Sequence, residues 1–112
     1  MTRLAGKVAI ITGAGRGMGA SHARLFVEEG AQVLLTDIDE AAGSALAKRL
    51  GAGARFMLHD VSDPQAWHNV TDEAVTHFGG IDILVNNAGI LGPIKPLADL
   101  GIDDYLRVCA VN

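Results

Sequence analysis

Cysteine is almost missing. Cys109 stands alone, so no disulfide can form within the chain. A reduced, cytoplasmic setting is the simplest expectation. Basic residues are also short: 9 Lys and Arg stand against 13 Asp and Glu, for a net charge of -4. That balance argues against the basic face a nucleic-acid partner would need. No apolar run approaches the roughly 20 residues of a membrane span, and residues 1–7 lack the apolar core of a signal peptide. The four histidines, His22, His59, His68 and His77, keep no metal-ligand spacing with each other or with Cys109. No metal is expected from them.

What is present is apolar and alternating. Hydrophobic residues make up 49% of 112 residues, enough for the core of one small domain. Strand-like and helix-like segments take turns. Strands are expected at Lys7–Ile11, Gln32–Thr36, Arg55–His59 and Ile81–Val85. Continuous apolar runs of this kind suit a sheet covered on both faces. A helix is expected over Met18–Glu29 with Gly30 as its stop, and Ala23, Phe26 and Val27 facing the sheet. Asp39 reads as the cap of a second helix, from Glu40 to about Leu50, which Gly51 ends. The third helix has two competing starts: Ser62 with Gln65 as a capping box, or Asp63 with Pro64 at the first helical position. It runs to about Phe78 and closes at Gly79-Gly80. A loop with Gly89, Gly92, Pro93 and Pro96 leads to a last helix beginning near Ile102 or Asp103. The pattern implies an α/β fold, a Rossmann-type doubly wound parallel sheet with right-handed crossovers and strand order 3-2-1-4. The ligand site is then expected at the carboxyl ends of strands one and four, where the winding reverses.

The segment Thr12-Gly13-Ala14-Gly15-Arg16-Gly17-Met18-Gly19 joins the first strand to the first helix. Glycine lets the backbone turn sharply and approach a ligand closely. The helix beyond offers unpaired N–H groups and the positive end of its dipole, which suits a diphosphate. The glycines fit two registers: Gly15, Gly17 and Ala20 as Gly-x-Gly-x-x-Ala, or Thr12, Gly13, Gly17 and Gly19 as Thr-Gly-x-x-x-Gly-x-Gly. By itself such a loop suits S-adenosylmethionine as well.

Asp37 narrows the choice. It ends the second strand, where an acid accepts hydrogen bonds from a ribose diol. Ile38 and Asp39 follow it, with no adjacent Lys or Arg. A 2′-phosphate would meet an unpartnered carboxylate there, so NAD is expected rather than NADP. Arg16 is the counter-evidence, as a cation in the loop. Asp60-Val61, past the third strand, suits an adenine amino group and ring, or equally a strand-end turn. Asn86-Asn87-Ala88-Gly89, past the fourth, can bridge strand ends and leave room for a nicotinamide ribose. An ordinary Asn-rich turn reads the same way.

Taken together these motifs resemble the short-chain dehydrogenase/reductase family, over the whole chain. Thr12–Gly19 is similar to that family's cofactor loop, with Gly13, Arg16, Gly17, Met18 and Gly19 at the cofactor. Asp37, with Ile38 beside it, matches the NAD-selecting acid, and Asp60 and Val61 the adenine contact. Asn86-Asn87-Ala88-Gly89 matches the Asn-Asn-Ala-Gly signature, with Asn87 and Gly89 near the cofactor. Val108-Cys109-Ala110-Val111-Asn112 resembles the helix carrying a catalytic asparagine, which makes Asn112 the expected holder of a relay water. Gly15-Arg16-Gly17-Met18-Gly19-Ala20-Ser21-His22 looks most like the NAD-dependent 3α/20β-hydroxysteroid dehydrogenase branch.

The resemblance implies an oxidoreductase acting on a small secondary alcohol or ketone, tetrameric at full length. It also implies that residues 1–112 are its N-terminal NAD-binding portion. The family's serine, and its tyrosine followed four residues later by lysine, fall beyond Asn112. Tyr105 is no substitute, since Cys109 stands four residues on. The chain alone is therefore expected to be inactive and to fold poorly, with Ile81–Val85 an exposed apolar edge. Two other readings stand beside this one: a short NAD-binding product or subunit without catalysis, and a methyltransferase-type site. Among the remaining residues, Trp67, Phe78 and Cys109 read as core. His59 reads as a strand-end histidine partly facing solvent.

Overall fold

The computed structural model describes residues 3–89 and 101–111. The elements run β1 (Val8–Thr12), α1 (Gly17–Glu28), β2 (Gln32–Asp37), α2 (Glu40–Leu50), β3 (Ala54–Leu58), α3 (Pro64–Phe78), β4 (Ile83–Val85) and α4 (Ile102–Val111). The four strands form one parallel sheet in the order β3-β2-β1-β4. The doubly wound order expected from the sequence is the one observed. Gly92, Pro93 and Pro96, and the expected catalytic Asn112, lie outside the described residues.

Alternation along the strands sorts the core into two faces, because successive side chains point to opposite sides of a sheet. Ala9, Ile11, Val33 and Leu35 pack with Ala23 of α1 and Leu46 of α2, and Phe26 and Val27 close over them. Ile10 and Leu34 face the other way, onto Val70 and Ala74 of α3, with Met57 and Phe78 alongside. Each large side chain buried so completely contributes about 1.5–3 kcal/mol.

Several boundaries shift by a residue for identifiable reasons. β1 begins and ends one residue later than expected, because Thr12 continues the parallel register opposite Thr36. β3 starts at Ala54 and stops at Leu58, before His59. β4 is shorter than Ile81–Val85. At its entry Asp82 replaces strand pairing: its backbone N–H donates to the Val8 carbonyl at 2.8 Å, and its carboxylate accepts the Val8 N–H at 2.9 Å. The two competing starts of α3 resolve to Asp63, whose side chain accepts the Gln65 N–H, with Pro64 at the first position. Asp39 caps α2 through the Ala42 N–H, as expected. Cys109 departs from its reading as core: it is exposed on α4, as are Ile102 and Leu106 on the same helix.

Candidate functional site

The site lies where the chain leaves the carboxyl ends of β1, β2, β3 and β4. At β1 the chain turns through Gly13, whose φ of +63° is open to glycine but rarely to other residues. A Cβ at Gly13 would stand 2.8 Å from the Ala88 Cα, and one at Gly19 only 2.4 Å from the Gly13 carbonyl oxygen. These two glycines let the loop, the start of α1 and the end of β4 touch. Thr12 and Asn87 lock that contact. The Thr12 hydroxyl oxygen accepts the N–H groups of Asn87 and Ala88, each at 3.0 Å, and the Asn87 side-chain amide donates to the Gly13 carbonyl at 3.1 Å.

The N-terminus of α1 differs from those of α2 and α3. Both later helices are capped by an aspartate side chain. At α1 the cap residue is Arg16, which supplies no side-chain cap, and the first turn carries no acid. Its amides point where an anionic group would complete the helix. The chain therefore has a cradle whose donors fit a diphosphate.

Asp37 closes the cradle on the β2 side. One carboxylate oxygen accepts the Gly15 N–H at 2.8 Å, the other the Asp39 N–H at 2.9 Å. A carboxylate has about four lone-pair positions, so acceptor capacity is left for a diol. The Arg16 guanidinium sits 2.9 Å from an Asp39 oxygen, on the surface. Arg16 is thus partnered by Asp39, the residue that also caps α2.

A cleft of about 620 Å³ opens between these elements. Gly13, Arg16, Asp37, Ile38, Asp60, Val61, Asn87 and Gly89, all singled out from the sequence, line it together. Gly17, Met18 and Gly19 do not; they form the first turn of α1 beside it, with Met18 exposed and Gly19 buried. His59, Ser62, Ala88, Arg107 and Val111 complete the lining. Sequence reasoning missed His59, Ser62, Arg107 and Val111 as site residues; Ala88, expected to leave room beside Gly89, lines the cleft. Arg107 and Val111 come from α4, distant in the chain from the other lining residues, while Ser62 adjoins the Asp60-Val61 pair.

His59 corrects its expected partial exposure. It is 2% exposed, with Nδ1 2.9 Å from the Thr36 hydroxyl. The reason is its place just past β3, where its backbone N–H bonds to the Asp37 carbonyl and draws the ring inward. Burial pushes its pKa down, against a weaker opposing pull from Asp60 and Asp63. Asp60 faces solvent in a tight turn. The Ser62 hydroxyl at 2.6 Å, and then the Ser62 N–H at 2.9 Å, hold its carboxyl below the usual range. Trp67 is only partly buried, and its indole N–H donates to the Val61 carbonyl at 2.9 Å. Among the described residues no group of His, Cys, Asp and Glu could hold a metal, and no helix is long and apolar enough to cross a membrane.

Comparison with known proteins bears on this geometry. The family model described as short chain dehydrogenase matches residues 7–112. A 3-alpha-(or 20-beta)-hydroxysteroid dehydrogenase of Mycobacterium tuberculosis is 47% identical over 110 residues, covering 98% of this chain and 42% of that protein. A 3-beta-hydroxysteroid dehydrogenase of Comamonas testosteroni is 41% identical over 110 residues, covering 98% of this chain and 43% of that protein. The crystal structure of a 3-ketoacyl-(acyl-carrier-protein) reductase from Brucella melitensis, complexed with NADH, superposes with a TM-score of 0.93 at 36% identity. It covers 96% of this chain and 45% of that one. The chain thus spans less than half the length of these relatives.

Proposed function

The chain belongs to the short-chain dehydrogenase family, and we propose that it is the cofactor-binding portion of an NAD-dependent oxidoreductase acting on a secondary alcohol or ketone. The carrying observation is Asp37. Its carboxylate lines the cleft at the end of β2, with Ile38 and Asp39 after it and Arg16 held by Asp39. A 2′-phosphate would be repelled at Asp37, whereas a ribose diol would be accepted. The NADH complex of the Brucella melitensis reductase supports the same cofactor.

In this reading the diphosphate rests on the first turn of α1, at Gly13, Arg16, Gly17, Met18 and Gly19. Asp37 and Ile38 hold the adenosine ribose, and Asp60 and Val61 meet adenine. Asn87 and Gly89 lie by the nicotinamide ribose. Asn112 holds the water of a proton relay. NAD, when bound, supplies the hydride acceptor; the protein binds, orients and moves the proton. Residues 1–112 bind the cofactor and do not turn over by themselves. The two hydroxysteroid dehydrogenases among the relatives support a hydroxysteroid as the substrate. The exposed Ile102 and Leu106 of α4 accord with association into a homo-tetramer. A single, exposed, free thiol accords with a reduced cytoplasmic setting.

The test is a comparison of NADH and NADPH affinity by titration calorimetry. NADH is expected to bind at least about tenfold more tightly, and Asp37→Ser to erase that preference by removing a charge-assisted acceptor. Equal binding of the two cofactors to the unaltered protein would refute the reading.

A further inference from the structure

Four residues form a continuous chain of contacts beneath the loop that follows β3. Thr36 is fully buried in β2, and its hydroxyl lies 2.9 Å from His59 Nδ1. The His59 ring meets Trp67 edge to face, with centroids 4.5 Å apart and planes at 89°. The Trp67 indole N–H then reaches 2.9 Å to the Val61 carbonyl. The chain of contacts thus runs from the middle of the sheet, through α3, to the backbone of Asp60-Val61.

Simple packing does not account for it. His59 Nε2 is buried without a hydrogen-bond partner among the described residues. An apolar side chain would fill the same space without that penalty. Trp67 spends its N–H on a loop carbonyl, an acceptor supplied by the very dipeptide that lines the cleft. That carbonyl is six residues back in the chain, so the bond fixes the loop against α3.

We infer that His59 and Trp67 are positioning residues that set the Asp60-Val61 backbone against the adenine end of the bound cofactor. The inference rests on the NAD reading of the cleft. Trp67 is not among the residues that line the cleft, and His59, which is, keeps a ring that is 2% exposed and turned to Thr36 and Trp67. Trp67 holds the Val61 carbonyl, His59 holds the Trp67 ring, and Thr36 anchors His59 to the sheet. Asp60 Oδ1 is used by the Ser62 turn. Oδ2 takes no part in that turn and is the oxygen for the adenine amino group.

The experiment compares NAD with nicotinamide hypoxanthine dinucleotide, which carries a carbonyl in place of that amino group, and with nicotinamide mononucleotide, which has no adenosine half. It is run on the native-length protein. The unaltered protein is expected to prefer NAD over the hypoxanthine analogue by about tenfold, the scale of one hydrogen bond to a charged acceptor. Trp67→Phe keeps an aromatic ring and loses the N–H. It is expected to cut the preference to about threefold or less and to leave mononucleotide binding unchanged. His59→Asn keeps a polar group toward Thr36 and loses the ring against Trp67; the same shift is expected. A full preference retained in both variants overturns the positioning role while the NAD reading stands. Equal loss of dinucleotide and mononucleotide binding also overturns it, since that marks general disruption. An unaltered protein with no preference between the two dinucleotides overturns the adenine assignment of Asp60 and the inference together.

Discussion

Asn87 and Gly13 are joined across 3.1 Å, the side-chain amide of the first donating to the carbonyl of the second. The contact ties the end of β4 to the end of β1, two points far apart in the chain and neighbours only because the strands pair in parallel. The asparagine is thereby fixed as part of the cleft floor. Its side-chain carbonyl oxygen and the second N–H of its amide are left for a ligand.

Thr12 is the hub of the same junction, so its hydroxyl carries a measurable share of stability. Thr12→Val keeps the shape and removes the acceptor of two backbone N–H groups. A loss of about 1–3 kcal/mol is expected from leaving the part-buried Ala88 N–H unpaired, while the Asn87 N–H keeps the Val85 carbonyl at 3.1 Å. Thr12→Ser should retain most of it. Urea unfolding of both variants makes the check; equal stability of Thr12→Val and the parent protein would mean the Ala88 N–H finds another acceptor.

Gly19 and Gly17 should respond differently to alanine. At Gly19 a Cβ would press on the Gly13 carbonyl oxygen at 2.4 Å and the Asn87 side chain at 2.6 Å. Backbone cannot yield as a flexible side chain does, so about 1–3 kcal/mol and a weakened NADH complex are expected. At Gly17 the space is open and only the φ of +61° opposes a side chain, costing about 1 kcal/mol. Thermal melts with and without NADH separate the two. A Gly17→Ala variant that loses more than Gly19→Ala contradicts the steric argument.

Acidification should weaken the fold through His59. Burial lowers its folded-state pKa below the ordinary 6.5. The unfolded chain therefore binds a proton that the folded chain refuses. This contribution to stability is present in full above about 6.5 and is lost as pH falls from there through the lowered folded value. His59→Asn removes the titrating group, so its stability should fall less over that interval. Chemical unfolding at stepwise pH tests this; parallel curves for the two proteins would show that His59 does not set the slope.

How much of this was legible beforehand depended on the range of the interaction. The strand order follows from the alternation of strands and helices with right-handed crossovers, and the Asp39 cap and the inward face of α1 from local chemistry; the structure agrees with each. The start of α3 was ambiguous between Ser62 and Asp63 because both have suitable oxygens. Ser62 is instead drawn back to Asp60, which frees Asp63 to cap. His59 could not be read as buried from its neighbours in the chain. Its burial depends on β3 pairing with β2, which sets its ring on Thr36. Cys109 follows an apolar helical pattern, yet pattern alone does not supply a partner surface. As a cation in the loop Arg16 suits a phosphate, and its pairing with Asp39 depends on the turn geometry of two separate loops.

The place of β1 in the sheet has a consequence for biosynthesis. Its partner β2 begins at Gln32, but its other partner, β4, begins only at Ile83. At roughly 5–20 residues per second, a ribosome needs about 4–15 s to supply that second neighbour. For that interval one flank of Val8–Thr12, a fully apolar strand but for its last residue, faces whatever the cell presents. Of the two interior strands the first made is the later to gain both neighbours, and a chaperone that screens nascent strands meets an open edge there.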